Sequence, residues 1–147
     1  SVVGEHWTML VIRDAFFGAR RFDQFQKSLG IARTVLSDRL RKLVQHGILE
    51  KSEGPGHPEY QLTQKGLEMQ PVMLATTQWG DKHMPHPEGA RLIFVDRKYG
   101  KPIKKLGVQA ADGRRLKPKE LKAKAGPALR GGSAQRDEKP SIIPISD

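Results

Sequence analysis

The stretch from Gly18 to Lys51, GARRFDQFQKSLGIARTVLSDRLRKLVQHGILEK, reads as two short helices around a tight turn, followed by a strand. In the first helix Phe22, Phe25 and Leu29 fall on one side at helical spacing, and Gly30 then breaks the helix. Leu29-Gly30-Ile31 is the turn. The second helix, from about Ala32 to His46, keeps Leu36, Leu40, Leu43 and Val44 on one side, and Gly47 follows as a left-handed stop. At ~100° per residue, Thr34, Ser37, Asp38, Arg41 and Gln45 lie opposite that apolar side, with Arg33, Arg39 and Lys42 on the flanks. A helix with a polar outer face, presented by a partner helix across a tight turn, has the layout of a helix-turn-helix reader.

Working outward, Glu5 to Phe17 predicts an amphipathic helix with Trp7, Leu10, Val11, Ala15 and Phe16 as core residues and Gly18 as its stop. Downstream, Ile48–Ser52 and Glu59–Leu62 flank Glu53-Gly54-Pro55-Gly56-His57-Pro58, the composition of a hairpin tip and hence of a wing. Thr63 can cap a further helix running through Leu67, Val72, Met73, Leu74 and Trp79, which Pro71 is expected to kink. Its apolar residues exceed one face. Trp7, Val72, Met73, Thr76 and Trp79 are therefore the expected interface with a second copy of the chain. The fold class is mainly α with a small β-wing (α+β), a winged helix-turn-helix with a basic C-terminal extension.

The 147 residues, 37% apolar, suffice for one modest core and an appendage. Formal net charge is +10, of which residues 1–85 carry +2 and residues 86–147 carry +8. Such a balance favours a polyanion, with double-stranded DNA foremost; an anionic membrane surface would satisfy the same electrostatics. The apolar runs, such as Met9–Ile12 and Leu92–Val95, fall far short of the ~20 residues a spanning helix needs, and no secretory signal pattern is present, so no membrane partner is expected. Cysteine is absent, which removes disulfides, thiolate metal sites and thiol chemistry from the residues displayed and fits a cytoplasmic location. Ser1 opens directly on helical sequence, so residues upstream, and any cysteine among them, are expected to lie outside this chain.

After the His83-Met84-Pro85-His86-Pro87 breaker cluster, Arg91–Val95 and Ile103–Gln109 read as short strands joined through Lys98-Tyr99-Gly100-Lys101, with a turn at Asp112-Gly113. From about Lys117, Lys, Pro, Gly, Ala and Ser dominate, a composition that cannot offset the entropy of ordering. The expected domains are a reading and dimerisation domain over residues 1–85, a small hairpin extension over 86–116, and a basic, disordered tail over 117–147.

For DNA contact the expected set is Arg20, Arg21, Arg33, Thr34, Ser37, Asp38, Arg41, Lys42, Lys51 and His57. Arg33 and Arg41 have guanidinium groups that bond guanine edges or phosphates bidentately. Thr34 and Ser37 are short enough to permit close approach of the helix. Asp38 has two readings, acceptance from cytosine N4 or an ion pair with Lys42 four residues on. Arg20 and Arg21 open the first helix of the pair, where phosphate contact and plain surface charge are both open, and Lys51 and His57 belong to the wing beside the opposing Glu50 and Glu53. For each of these the ordinary alternative is a solvated surface. His83 and His86 form the one close histidine pair, an incomplete ligand set, so no metal and no cofactor is expected. Trp7, Phe16, Phe17 and Trp79 are either a cavity for a small-molecule effector or simple core. No phosphate-cradling loop, nucleophile set or metal motif suggests an enzyme.

Several of these segments together resemble the HxlR-type family of winged-helix transcription regulators. The resemblance covers about residues 2 to 84 and rests on Val3-Gly4-Glu5-His6-Trp7-Thr8, Arg20-Arg21-Phe22, Gly30-Ile31-Ala32 and Val35-Leu36-Ser37-Asp38-Arg39-Leu40. It continues through Leu43, Gly47-Ile48-Leu49, Glu59-Tyr60-Gln61-Leu62-Thr63-Gln64-Lys65-Gly66-Leu67, Pro71-Val72 and Trp79-Gly80. It implies a homodimer joined through the outer helices, recognition helices in successive major grooves and wings at the flanking minor groove or phosphates. Members often carry a cysteine just before the first helix, a region this chain does not display. The segments Arg97–Pro102 and Val108–Gly113 are similar to a cysteine-bearing extension of some relatives, with Tyr99, Gln109 and Asp112 where cysteines would stand. This implies loss of a metal knuckle and a hairpin held by packing alone. The expected function is a repressor that binds a near-palindromic operator as a homodimer. The alternative is a nonspecific, architectural nucleic-acid binder that relies on the basic arm.

Overall fold

Glycine placement and apolar periodicity set the element order of the computed structural model, which describes residues 2–90 and 92–130. Helix α1 spans Val2–Phe16, α2 Phe22–Leu29 and α3 Arg33–Gln45, followed by strands β1 (Leu49–Lys51) and β2 (Tyr60–Leu62), then α4 (Gln64–Leu67) and α5 (Gln70–His83). Gly30, with φ of 64°, lets the backbone turn left-handed directly after α2, and Gly47, with φ of 71°, does the same after α3. Ile48 N–H then returns to Leu43 O at 2.9 Å, closing the end of α3 before β1 begins.

The core gathers one side of three helices beneath the wing. Val11, Ile12 and Ala15 of α1, Phe25 of α2, Leu36, Leu40 and Leu43 of α3, Ile31 of the turn and Leu49 of β1 are all buried in one cluster. Burial of the valine, leucine, isoleucine and phenylalanine side chains contributes about 1.5–3 kcal/mol each. Trp7 and Phe16 pack against the cluster from its edge, and Leu10 lies outside it. The expected core of α1 is thus rotated by about one position, with Ile12 rather than Leu10 inside.

Strands β1 and β2 pair antiparallel in the register Leu49 with Leu62, Glu50 with Gln61 and Lys51 with Tyr60. Arg21 bridges to Glu59, and Tyr60 N–H donates to Arg20 O at 2.7 Å, so the start of α2 is stitched to the wing. Thr63 caps α4, its hydroxyl oxygen accepting from Gly66 N–H at 3.1 Å while the hydroxyl donates to Gly47 O. Pro71 does not kink a continuous helix. The chain divides into α4 and α5, and Pro71 sits in the first turn of α5, where its missing N–H costs nothing.

The chain divides into two compact units, Ser1–Leu106 and Gly107–Asp147. Within the first, Phe94 stacks on Phe17 with ring centres 6.1 Å apart, and Leu106 N–H donates to Gln78 Oε1 at 2.7 Å. The expected strands of the extension reduce to single bridges, Val95 with Pro102 in the first unit and Gln109 with Arg115 in the second. Packing alone does not hold these turns. Asp96 accepts from the amides of Tyr99 and Lys101 at 2.6 and 3.2 Å, and Asp112 accepts from the amide and guanidinium of Arg114 at 3.1 and 2.8 Å. The carboxylates satisfy amides that a longer ladder would have paired. The second unit also contains a 3-10 turn at Pro118–Glu120 and helix α6 (Pro127–Arg130), both in the stretch expected to be unstructured. The remainder of that tail, residues 131–147, lies outside the described residues.

Candidate nucleic-acid interface

Helix α3 buries Leu36, Leu40 and Leu43, so residues on its opposite side must face solvent. Arg33, Thr34, Ser37 and Arg41 are exposed there, and together with Asp38 and Phe22 they line one surface concavity. Five residues of the expected set thus meet at a single place on the recognition helix.

Arg33 is held by two neighbours from α2. Its guanidinium carbon lies 4.7 Å from the centre of the Phe22 ring, and Nη1 donates to Gln26 Oε1 at 3.4 Å. Neither partner follows from periodicity along one helix, because both are reached across the turn. Phe22, assigned to the core stripe from sequence, is half-buried and forms a platform for this arginine.

Asp38 resolves into an ion-pair hub. Arg41 Nη2 lies 2.6 Å from its Oδ1, Lys42 Nζ 3.2 Å from its Oδ2, and Arg39 Nε 4.0 Å from the same oxygen. The Lys42 and Arg41 hydrogen bonds, in that order, hold the Asp38 carboxyl below its ordinary value. With both oxygens engaged within its own helix, Asp38 sets the rest position of two exposed cations.

The remaining residues of the expected set divide. Arg21, Arg33 and His57 line a second cleft with Phe22, Asp23, Pro58 and Tyr60, between the wing and the start of α2. Arg21 also faces Glu59, with Nε to Oε1 at 3.8 Å. Lys51 is exposed on β1 with its ammonium 5.9 Å from the Tyr60 ring centre. Arg20 has a different use. Its Nη1 donates to Ala15 O at 2.8 Å, in the last turn of α1, and to Ala19 O at 2.9 Å in the loop that follows, so this guanidinium is turned into the fold.

The expected interface set also divides. Val72, Thr76 and Trp79 share an exposed face of α5 with Ala75, the side chains of Val72 and Trp79 being 53% and 59% exposed. Met73 is buried within the chain, and Trp7 packs against the core. Of the four aromatic residues weighed as an effector cavity, Phe17 lines the cavity between α1 and α5, whereas Trp7, Phe16 and Trp79 do not line it. Among the described residues, no helix is long and apolar enough to cross a membrane.

This architecture has close counterparts. The model of the HxlR-like helix-turn-helix family matches residues 2–88. The uncharacterized HTH-type transcriptional regulator Rv3095 of Mycobacterium tuberculosis is 46% identical over 92 residues, which cover 60% of this chain and 58% of that protein. The chain therefore spans less than two thirds of the length of this mycobacterial relative. The HTH-type transcriptional regulator YodB of Bacillus subtilis is 31% identical over 86 residues, covering 56% of this chain and 77% of YodB. Among solved structures, the candidate transcription factor PA1607 has 40% identity and a TM-score of 0.77, with coverage of 85% of this chain and 89% of that one. PA1374, a candidate transcription factor from Pseudomonas aeruginosa, has 38% identity and a TM-score of 0.64, with coverage of 88% and 92%. These relatives bear the names of regulators, in agreement with the non-enzymatic reading of the sequence. From its first helix through its wing to the end of α5, this chain belongs to the HxlR-like helix-turn-helix family.

Proposed function

We propose that the chain is a sequence-specific transcriptional repressor that binds a near-palindromic operator in double-stranded DNA as a homodimer. The observation that carries this reading is the convergence of Arg33, Thr34, Ser37 and Arg41 on the exposed side of α3. Arg41 and Arg33 read base edges or grip phosphates, Thr34 and Ser37 let the helix sit deep in the groove, and Arg21, Lys51 and His57 contact the backbone from the wing side. Asp38 and Lys42 act through the position they give Arg41.

The exposed stripe of Val72, Ala75, Thr76 and Trp79 supports dimerisation, because exposed apolar side chains such as Val72 and Trp79 at helical spacing suit a self-complementary contact. Such a dimer sets its reading helices about one DNA turn, ~34 Å, apart. Repression is the simpler sign, since occupancy of promoter DNA excludes polymerase without a further contact. In this scheme residues 1–85 read DNA and dimerise, 86–116 form an extension, and 117–147 act as a basic arm in the cytoplasm.

The second reading, a nonspecific architectural role, draws on the +8 charge of residues 86–147. Fluorescence anisotropy with the duplex upstream of the protein's own gene and a scrambled duplex, titrated across salt, separates the two. A preference of about 10³ or more for the native duplex that persists at high salt supports the regulator; equal binding that collapses with salt supports the architectural role.

A further inference from the structure

A cavity of about 640 Å³ lies between α1, α5 and the residues Met84, Pro85, His86, Pro87 and Leu92, all within the first compact unit. Its size falls within the range of small-molecule sites, and it is walled chiefly by apolar side chains with a few polar groups directed into it. We propose that this cavity binds an uncharged, planar aromatic molecule of two or three rings that carries a hydroxyl group.

The walls select a ring. Met9, Met73 and Met84, three of the chain's four methionines, line the cavity together with Phe17. Thioethers adapt their shape and make favourable contacts with aromatic edges, so this lining receives flat π-systems of varied outline. Gly80, also in the wall, lies inside α5, where glycine is a poor helix former. Beyond its chain neighbours and the adjoining backbone of α5, no atom lies within 4 Å of where its Cβ would stand, so close packing does not require a glycine. Its effect is to leave the cavity open.

The polar groups select a hydroxyl over a charged group. Thr76 and Thr77 donate their hydroxyl protons to Val72 O and Met73 O, both at 2.9 Å, which leaves their oxygens as acceptors. Asp81 adds a carboxylate, and His86 Nδ1 accepts from Glu88 N–H at 3.2 Å, which directs its own proton to Nε2 as a donor. Arg13, the permanent cation of the wall, is paired with Asp14 at 3.0 Å, so the site carries no surplus positive charge for an organic anion. A phenolic hydroxyl meets both requirements, donating to a threonine or Asp81 and accepting from His86.

Thr76 belongs both to the cavity wall and to the exposed α5 stripe of Val72, Ala75 and Trp79. A bound ring that engages Thr76 therefore reaches the edge of the face proposed to join the two protomers and changes operator affinity. This coupling rests on the regulator reading, whereas binding of the ring does not.

The probe is 2-naphthol, titrated without DNA into protein labelled with ¹³C at the methionine methyls. The Met9, Met73 and Met84 signals are expected to move while that of Met69, which packs on the main core, stays still. We expect 2-naphthoate, with the same rings and a negative charge, to bind about tenfold or more weaker, and Gly80→Leu to weaken 2-naphthol by a similar factor. Thr77→Val, a second variant, should weaken 2-naphthol while leaving naphthalene binding unchanged. Absence of shifts up to the solubility limit, tighter binding of 2-naphthoate, or undiminished binding to folded Gly80→Leu overturns the proposal. So does movement of the same three signals with protein concentration alone, because the occupant is then a second copy. Loss of operator preference with an intact naphthol titration overturns the regulator reading and leaves the cavity standing; the reverse result overturns the cavity alone.

Discussion

Asp38→Ala is the substitution whose outcome follows most directly from the geometry of the recognition helix. The carboxylate lies 2.6 Å from Arg41 and 3.2 Å from Lys42, whose side chains are 61% and 48% exposed. Its removal frees two cations on the face proposed to meet DNA. Each cation that then settles on a phosphate steepens the dependence of log K on log salt by about 0.9. Across a fourfold rise in salt, from about 50 to 200 mM, the variant's affinity for a scrambled duplex falls by an additional factor of about 3.5 for one new contact and about 12 for two. Operator preference moves the opposite way. Arg41 without its anchor no longer approaches one base edge in a fixed pose, so discrimination drops by up to the roughly 1–3 kcal/mol that a bidentate guanine contact supplies. Anisotropy titrations of operator and scrambled duplexes at several salt concentrations measure both quantities. An unchanged salt slope together with an unchanged preference would refute the claim that Asp38 governs these cations.

Arg41→Ala is expected to weaken operator binding by about 1–3 kcal/mol and relax preference at one base pair, read from a panel of single-substituted duplexes. Equal loss on every duplex would instead make Arg41 a phosphate contact. Trp79→Glu places a charge in the exposed α5 stripe and should shift the proposed dimer toward monomer in light scattering, with far-UV circular dichroism unchanged because Trp79 is 59% exposed. Thr63→Ala removes the α4 cap and the hydroxyl's bonds to the end of α3, lowering stability by about 1–2 kcal/mol in thermal unfolding. For pH, Asp38 has a folded-state pKa below its ordinary 3.8, so its contribution is present above that value and is lost as pH falls through the lower folded value. Operator affinity between about pH 5 and 8 should accordingly show no step that Asp38→Ala abolishes.

The helix-turn-helix and wing were legible in the letters because their signals are local. Leu36, Leu40 and Leu43 recur at helical spacing, and Gly30 and Gly47 stand where the backbone must turn left-handed. The polar face of α3 follows from the same periodicity, since burying one side of a helix exposes the other. Even the Asp38 pair with Lys42 was readable as an offset of four; the additional grip on Arg41 was not, because either long side chain can reach the carboxylate.

Contacts between elements depended on how those elements pack. Arg20 and Arg21 are adjacent arginines with the same chemistry, yet one guanidinium turns in to the carbonyls of α1 and the other faces Glu59 and the wing. Phe22 became the platform for Arg33 because the turn brings α2 and α3 together, and Met73 and Trp79 parted because the packing of α5 buries the first and leaves the second 59% exposed. Spacing along a chain records which residues share a face. Which partner meets that face, and where a cavity such as the one beside Gly80 remains open, depends on the three-dimensional approach of elements that no single helical period encodes.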